Sequence, residues 1–198
     1  MDILILISTI LLWGIVHSIL ASVKFGAFLR QRLGPGVMRG YRLFYNFFAL
    51  LSFLPILWLM HILPDKTLFF VPVPWVFLLL AGQGLAGLCL LLAVLQTDPL
   101  SFVGLRQVLE GEKPSVLVTW GFYRLVRHPL YLFGLLFLWL TPIMTLNLLI
   151  VYVSLTIYIF VGAYFEERKL AREFGTSYLE YKARTPMIIP GPLFKRGS

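Results

Sequence analysis

Three stretches of the chain, Ile3–Ser22, Leu43–Leu63 and Val73–Gln96, contain no Asp, Glu, Lys or Arg. A helix needs about 20 mostly apolar residues to cross a hydrocarbon core roughly 30 Å thick, and each run is that long. Inside lipid no water is available to backbone groups, so runs of this length are expected to be helices. Two further apolar runs follow, Leu130–Leu140 and Asn147–Phe165, separated by Thr141-Pro142. The first of these is short for a span. It is expected either to extend back to Pro129 or to form a tilted helical hairpin with the last run. Composition agrees: 59% of residues are hydrophobic and 13% charged, against roughly 45–50% and about 25% in soluble domains. The fold class expected is therefore all-α, a multi-span transmembrane bundle of about five spans with a cytoplasmic C-terminal helix.

The basic residues set an orientation. Lys24, Arg30, Arg32, Arg39 and Arg42 lie between the first two runs, and Arg106, Lys113, Arg124 and Arg127 between the third and fourth. Arg168, Lys169, Arg172, Lys182, Arg184, Lys195 and Arg196 follow the fifth, and only Lys66 falls on the opposite side. By the positive-inside rule the N-terminus lies outside and these three segments are cytoplasmic, an alternation that five spans satisfy. The expected location is a prokaryotic inner or cell membrane. The net charge of +8 then reflects topology and attraction to anionic lipid, and a nucleic-acid partner is not needed. The first run begins with Asp2 instead of a basic segment and lacks a small-residue cleavage site, so it is expected to be retained. A single cysteine, Cys89, excludes a disulfide framework or a cysteine metal cluster and reads as a small buried hydrophobe.

Three parts are expected: transmembrane helices and cytoplasmic loops over 1–120, a helical hairpin and C-terminal helix over 121–190, and a tail over 191–198. Gly34-Pro35-Gly36 is expected to break the first loop. Thr97–Gly121 mixes polar and apolar residues, with a turn at Gly111-Glu112-Lys113-Pro114. Leu170, Phe174, Tyr178 and Tyr181 recur at helical spacing and predict a surface helix over Glu166–Arg184. Gly175 inside it is a site for a kink.

Polar residues at membrane depth are candidates for function. His17, Ser18 and Asn46 fall toward the cytoplasmic half and Gln83 lies in the third run; each could equally make an interhelical hydrogen bond. The densest cluster is Gly121-Phe-Tyr-Arg-Leu-Val-Arg-His-Pro-Leu-Tyr131. Pro129 suits a helix first turn. The unpaired N–H groups of a helix start, with Arg124, Arg127, His128 and two tyrosines, suit a carboxylate, or else anchor the helix at headgroup level. Glu166-Glu167 ends the fifth run, where a basic residue is usual. Either Glu166 supports Leu170–Arg172 through local helix pairs, or a carboxylate faces the Arg-His cluster and binds the hydroxyls or positive charge of a ligand.

These residues carry a resemblance. Gly121–Tyr131, the run E-E-R-K-L-A-R-E-F-G-T-S-Y-L-E-Y (Glu166–Tyr181) and the closing P-M-I-I-P (Pro186–Pro190) appear in the order found in the isoprenylcysteine carboxyl methyltransferase superfamily. The chain resembles these integral membrane methyltransferases over its last third and more loosely before that. The resemblance implies S-adenosylmethionine as methyl donor. It places Tyr123, Arg127, His128 and Tyr131 along the donor pocket, Glu166 and Glu167 at its ribose or amino end, and Tyr178 and Tyr181 closing it. Members acting on prenylcysteine often carry an arginine where this chain has Met187. Leu138–Thr145, Glu166-Glu167 and the closing motif look closer to the bacterial thiol S-methyltransferase branch, which methylates methanethiol; His17-Ser18 and Tyr41–Asn46 also resemble its NnrU-like relatives.

The expected function is transfer of a methyl group from S-adenosylmethionine to a membrane-accessible acceptor, a thiol before a prenylcysteine carboxylate or a phospholipid. No metal site is expected. Alignment for in-line attack supplies much of such a rate enhancement. A thiol also needs a base, for which His128 or His17 is the candidate. Two rivals remain: a sterol-reductase-like enzyme using a nicotinamide cofactor, and a non-enzymatic accessory protein of the NnrU kind.

Overall fold

The computed structural model describes residues 2–111, 114 and 116–191 of the 198. The expected turn at Gly111–Pro114 and the tail lie largely outside the described residues. The chain forms two compact units, each built from three separate segments.

The first unit comprises residues 1–69, 98–115 and 144–154. Its α1 (Asp2–Ala21) ends at Ser22, whose hydroxyl caps the next helix by accepting the Phe25 N–H at 3.2 Å. Helix α2 (Val23–Ile62) has 40 residues, about 60 Å of helix and twice what a bilayer needs. Gly34, with φ 79° and ψ 169°, breaks it, and Pro35 is suited to open the second part. Gly34-Pro35-Gly36 therefore interrupts a helix: the expected first loop is helical on both sides. Its first part, Val23–Leu33, carries Lys24, Arg30 and Arg32; the apolar part follows. After β1 (Thr67–Phe70), helices α4 (Pro99–Val103) and α5 (Leu105–Glu110) lie against α2. The joining residue Gly104 has φ 99°, and a Cβ there would stand 2.5 Å from the Leu43 nitrogen. Asn46 donates to the carbonyls of Phe102 (3.0 Å) and Val103 (2.7 Å), which the end of α4 leaves without helical partners. The start of the last long helix is fastened beside the end of α2. Asp65 accepts the Asn147 N–H at 3.0 Å, and Lys66 accepts that of Leu146 at 2.9 Å.

The second unit comprises residues 70–97, 116–143 and 155–198. Helices α3 (Trp75–Leu95) and α6 (Pro129–Trp139) pack together. Gly82 and Gly87 allow the approach, facing the side chains of Leu140 and Phe137. Gln83 reaches across to donate to the Phe137 carbonyl at 2.8 Å. At one end of the pair the Gln96 side chain meets Phe122; at the other the Val71 N–H donates to Pro142 at 2.9 Å. So α6, with 11 residues and about 16 Å of helix, reaches the length of α3 only with its extended continuation to Pro142. The long helix α7 (Leu146–Phe174) runs past the end of its apolar part, through Glu166-Glu167. Gly175, at φ 56°, then turns the chain into α8 (Thr176–Arg184). The kink expected at Gly175 is present, and the predicted surface helix begins as the last turns of α7.

Among the described residues four helices, α1, α2, α3 and α7, are long and apolar enough to cross a membrane. Large apolar side chains point outward along them, Leu12, Leu50 and Leu78 among them at 63%, 67% and 65% exposure. Apolar exposure on that scale marks a surface made for lipid. This is an integral membrane protein.

Candidate active site

The site grows from Gly121. Its φ of 63° turns the chain under Gln96, and a short 3-10 turn (Gly121–Arg124) follows. Val126 is buried, and the next two residues lie beside the closing motif. The Arg127 N–H donates to the Pro186 carbonyl at 2.8 Å and that of His128 to Met187 at 3.0 Å. Pro129 then opens α6, with His128 at its N-cap. Two of the three sequence landmarks are thus joined through backbone.

Arg127 joins the third. Its Nε donates to Glu167 Oε1 at 2.6 Å, and a terminal nitrogen pairs with the same oxygen. Its other terminal nitrogen donates to the carbonyls of Lys182 (3.2 Å) and Thr185. Lys182 Nζ closes the second Glu167 oxygen at 2.8 Å. The Arg127 and Glu167 side chains are 7% and 6% exposed. Two desolvated charges are tolerable here because nearly every donor and lone pair has a partner.

Glu166 behaves differently. It accepts the Tyr131 hydroxyl at 2.7 Å, yet its side chain is 43% exposed, so part of the carboxylate faces open space. His128 stacks on Tyr131 with ring centroids 5.2 Å apart. Its Nδ1 lies 3.6 Å from Glu166 Oε2 and its Nε2 3.6 Å from Glu167 Oε1, both beyond hydrogen-bond length. Among the described residues nothing hydrogen-bonds the buried Nε2. Burial holds the His128 pKa below its ordinary value, with the two carboxylates pulling the other way, so the imidazole is neutral at pH 7.

The tyrosines are protonated. Burial, with Glu166, pushes Tyr123 up to about 12, and burial, with Glu167, does the same to Tyr178. Tyr181 is also raised by burial and donates to the Tyr123 carbonyl at 2.5 Å. Tyr181 is thus a donor, and all three rings serve as walls.

An open cleft of about 890 Å³ adjoins this network. Arg124, Arg127, Lys182 and Arg184 line it together with Gln96, and among the described residues no carboxylate does. A cleft with that lining suits the anionic end of a ligand, while Glu166 suits hydroxyl or ammonium groups.

Tyr123, Arg127, His128, Tyr131, Glu166, Glu167, Tyr178 and Tyr181 thus all fall in the second unit and are linked by contacts. His17 belongs to the first unit, where its Nε2 is 2.7 Å from the Tyr45 hydroxyl and its ring stacks on Trp13. Three participants carried no site signal in the sequence. Lys182 read as one more surface cation, Thr185 contributes only a carbonyl, and Gln96 looked like the end of a span.

The phospholipid methyltransferase family pattern matches residues 77–177. Methanethiol S-methyltransferase 1 of Bradyrhizobium diazoefficiens is 34% identical over 185 residues, covering 90% of this chain and 64% of that protein. Methanethiol S-methyltransferase of Crocosphaera subtropica is 32% identical over 191 residues, 90% of this chain and 71% of that protein. A protein of the same name from Mycobacterium tuberculosis is 37% identical over 94 residues, 45% of this chain and 38% of its own length. The chain therefore spans less than two thirds of the length of some of these relatives. No solved structure matches it. With the family pattern over half its length and a relative matched over most of both chains, this protein belongs to the phospholipid methyltransferase family.

Proposed function

We propose that the protein transfers a methyl group from S-adenosylmethionine to a small thiol of the methanethiol type. The observation that carries this is the buried Arg127–Glu167 pair, which ties together the three segments bearing the family landmarks, beside a cation-lined cleft. The relatives named as methanethiol S-methyltransferases favour a thiol over a prenylcysteine carboxylate or a phospholipid as acceptor.

The residues fit such a donor. Arg124, Arg184 and the outer face of the Arg127–Lys182 pair match a carboxylate, and the open edge of Glu166 matches an ammonium or ribose hydroxyls. S-adenosylmethionine, when bound, supplies a methyl group already activated on a sulfonium sulfur. The protein's tasks are then alignment and exclusion of water, worth about 7–11 kcal/mol of a barrier when geometry is held well. Tyr178 and Tyr181 close the back of the site, and Arg127 and Glu167 hold its segments in register. A thiol must also lose its proton. We assign that step to His128, whose burial keeps the imidazole neutral and whose Nε2 has no hydrogen-bond partner among the described residues. His17, the other candidate, is engaged by Tyr45.

The reading includes five crossings, the fourth made by α6 and its extended continuation. The cations between and after the spans support an external N-terminus and a cytoplasmic site. Titrating detergent-purified protein with S-adenosylmethionine by calorimetry, then assaying dimethyl sulfide release from methanethiol, tests the proposal. Binding with turnover on methanethiol is expected. Turnover only on prenylcysteine or phospholipid reassigns the acceptor. Folded protein that binds no donor overturns the enzyme reading in favour of a membrane accessory role.

A further inference from the structure

Gln96 stands outside the residues that the motifs implicate, and its setting is specific. It caps the end of α3, its own N–H donating to the Leu92 carbonyl at 3.1 Å. Its side-chain Oε1 accepts the Phe122 N–H at 2.8 Å. The amide lies flat against Gly121, where a Cβ would overlap Oε1, Cδ and Nε2 together. A glycine at φ 63° thus leaves the space that this amide fills, and the amide holds the turn that starts the site.

A carboxamide carries one carbonyl acceptor and two N–H donors. The acceptor is committed to Phe122. Among the described residues nothing accepts from Nε2. Gln96 also lines the cleft whose other polar walls are Arg124, Arg127, Lys182 and Arg184. An amide wedged in one orientation, with its donors unused among the described residues, beside Arg124 and Arg184 and the Glu167-paired Arg127 and Lys182, is suited to receive an anionic oxygen.

We propose that Gln96 contacts the methyl donor directly, giving an Nε2 hydrogen bond to its carboxylate while Oε1 keeps the Gly121–Phe122 turn in place. The inference rests on the methyltransferase reading and adds a residue that fixes where the amino-acid end of the donor sits. It predicts discrimination between ligands that have that end and ligands that lack it.

Gln96→Glu tests this. The substitution keeps size and an acceptor for the Phe122 N–H, removes both donors and places a negative charge where the carboxylate would lie. The variant should unfold within about 2 °C of wild type. Its Kd for S-adenosylmethionine and S-adenosylhomocysteine should rise roughly 10- to 100-fold, the range for losing a hydrogen bond to a charged group. Methylthioadenosine, which has no amino-acid end, should compete for the site equally well in both proteins. Unchanged S-adenosylmethionine affinity overturns the assignment. So does an equal loss for methylthioadenosine, which would mark a structural role for the amide. Wild-type protein that binds no S-adenosylmethionine at all removes the methyltransferase reading itself, a result visible before the variant is made.

Discussion

Glu167→Ala is the sharpest probe of how the site is held. In the folded protein Glu167 neutralises Arg127, whose side chain is 7% exposed and whose guanidinium also donates to the carbonyls of Lys182 and Thr185. Removing the carboxylate leaves a buried cation with neutral acceptors. Breaking a buried pair from one side costs about 3–5 kcal/mol. Lys182 adds little to that figure, because it is 47% exposed and an ion pair of that kind contributes about 0–1 kcal/mol. For a chain of this size each kcal/mol moves Tm by about 2–4 °C. Glu167→Ala should therefore melt roughly 6–20 °C below wild type, and Lys182→Ala within about 4 °C of it. The double change Arg127→Met with Glu167→Leu should recover most of the loss, since it removes both charges and refills the space. Thermal unfolding of the purified proteins in one detergent, followed by intrinsic fluorescence, reads all four. A Glu167→Ala variant as stable as Lys182→Ala would show that Arg127 does not depend on its buried partner, as would a double variant no better than the single one.

His128 gives a pH dependence. Its folded pKa lies below the ordinary 6.5 through burial, so below pH 6.5 the unfolded chain binds a proton that the folded protein refuses. Stability is full above pH 6.5 and falls as pH drops through the folded pKa. His128→Asn should flatten the Tm profile in that window and should slow methanethiol turnover at pH 7 without abolishing donor binding; full turnover would remove His128 as the base. Gly121→Ala puts a Cβ at φ 63° into the Gln96 amide. It should lose about 2–3 kcal/mol, the sum of the backbone penalty and the lost Gln96–Phe122 bond, and a neutral effect on Tm would contradict the packing described. Asn46→Ala leaves the Phe102 and Val103 carbonyls without their donor. A loss of about 1–2 kcal/mol is expected, with Asn46→Asp worse because a carboxylate faces two carbonyl oxygens.

Much of this was legible in the residues themselves. Apolar runs without charge dictate helices in lipid, because the length of a span is set by bilayer thickness and each helix satisfies its own backbone. Gly175 and Pro129 announced a kink and a helix start, since their conformational limits are local. The landmarks Gly121–Tyr131, Glu166–Tyr181 and Pro186–Pro190 could be recognised by order and spacing. What they do to one another could not. Arg127 and Glu167 are 40 residues apart, and before folding a local salt link on α7 explained the acid equally well. Gly34 also misled: glycine and proline together look like a loop, yet one residue of positive φ is enough to end one helix and let another begin.

That the chain enters the membrane and which segments carry its polar chemistry follow from the residues alone, because these depend on hydrophobic length and local backbone preference. Folding alone brings the buried Arg127, Glu167 and Thr185 together with the half-exposed Lys182, leaves α6 shorter than α3, and sets Gln96 at the cleft. Those outcomes depend on desolvation and on hydrogen bonds between residues distant in the chain, and such energies exist only once the segments are packed.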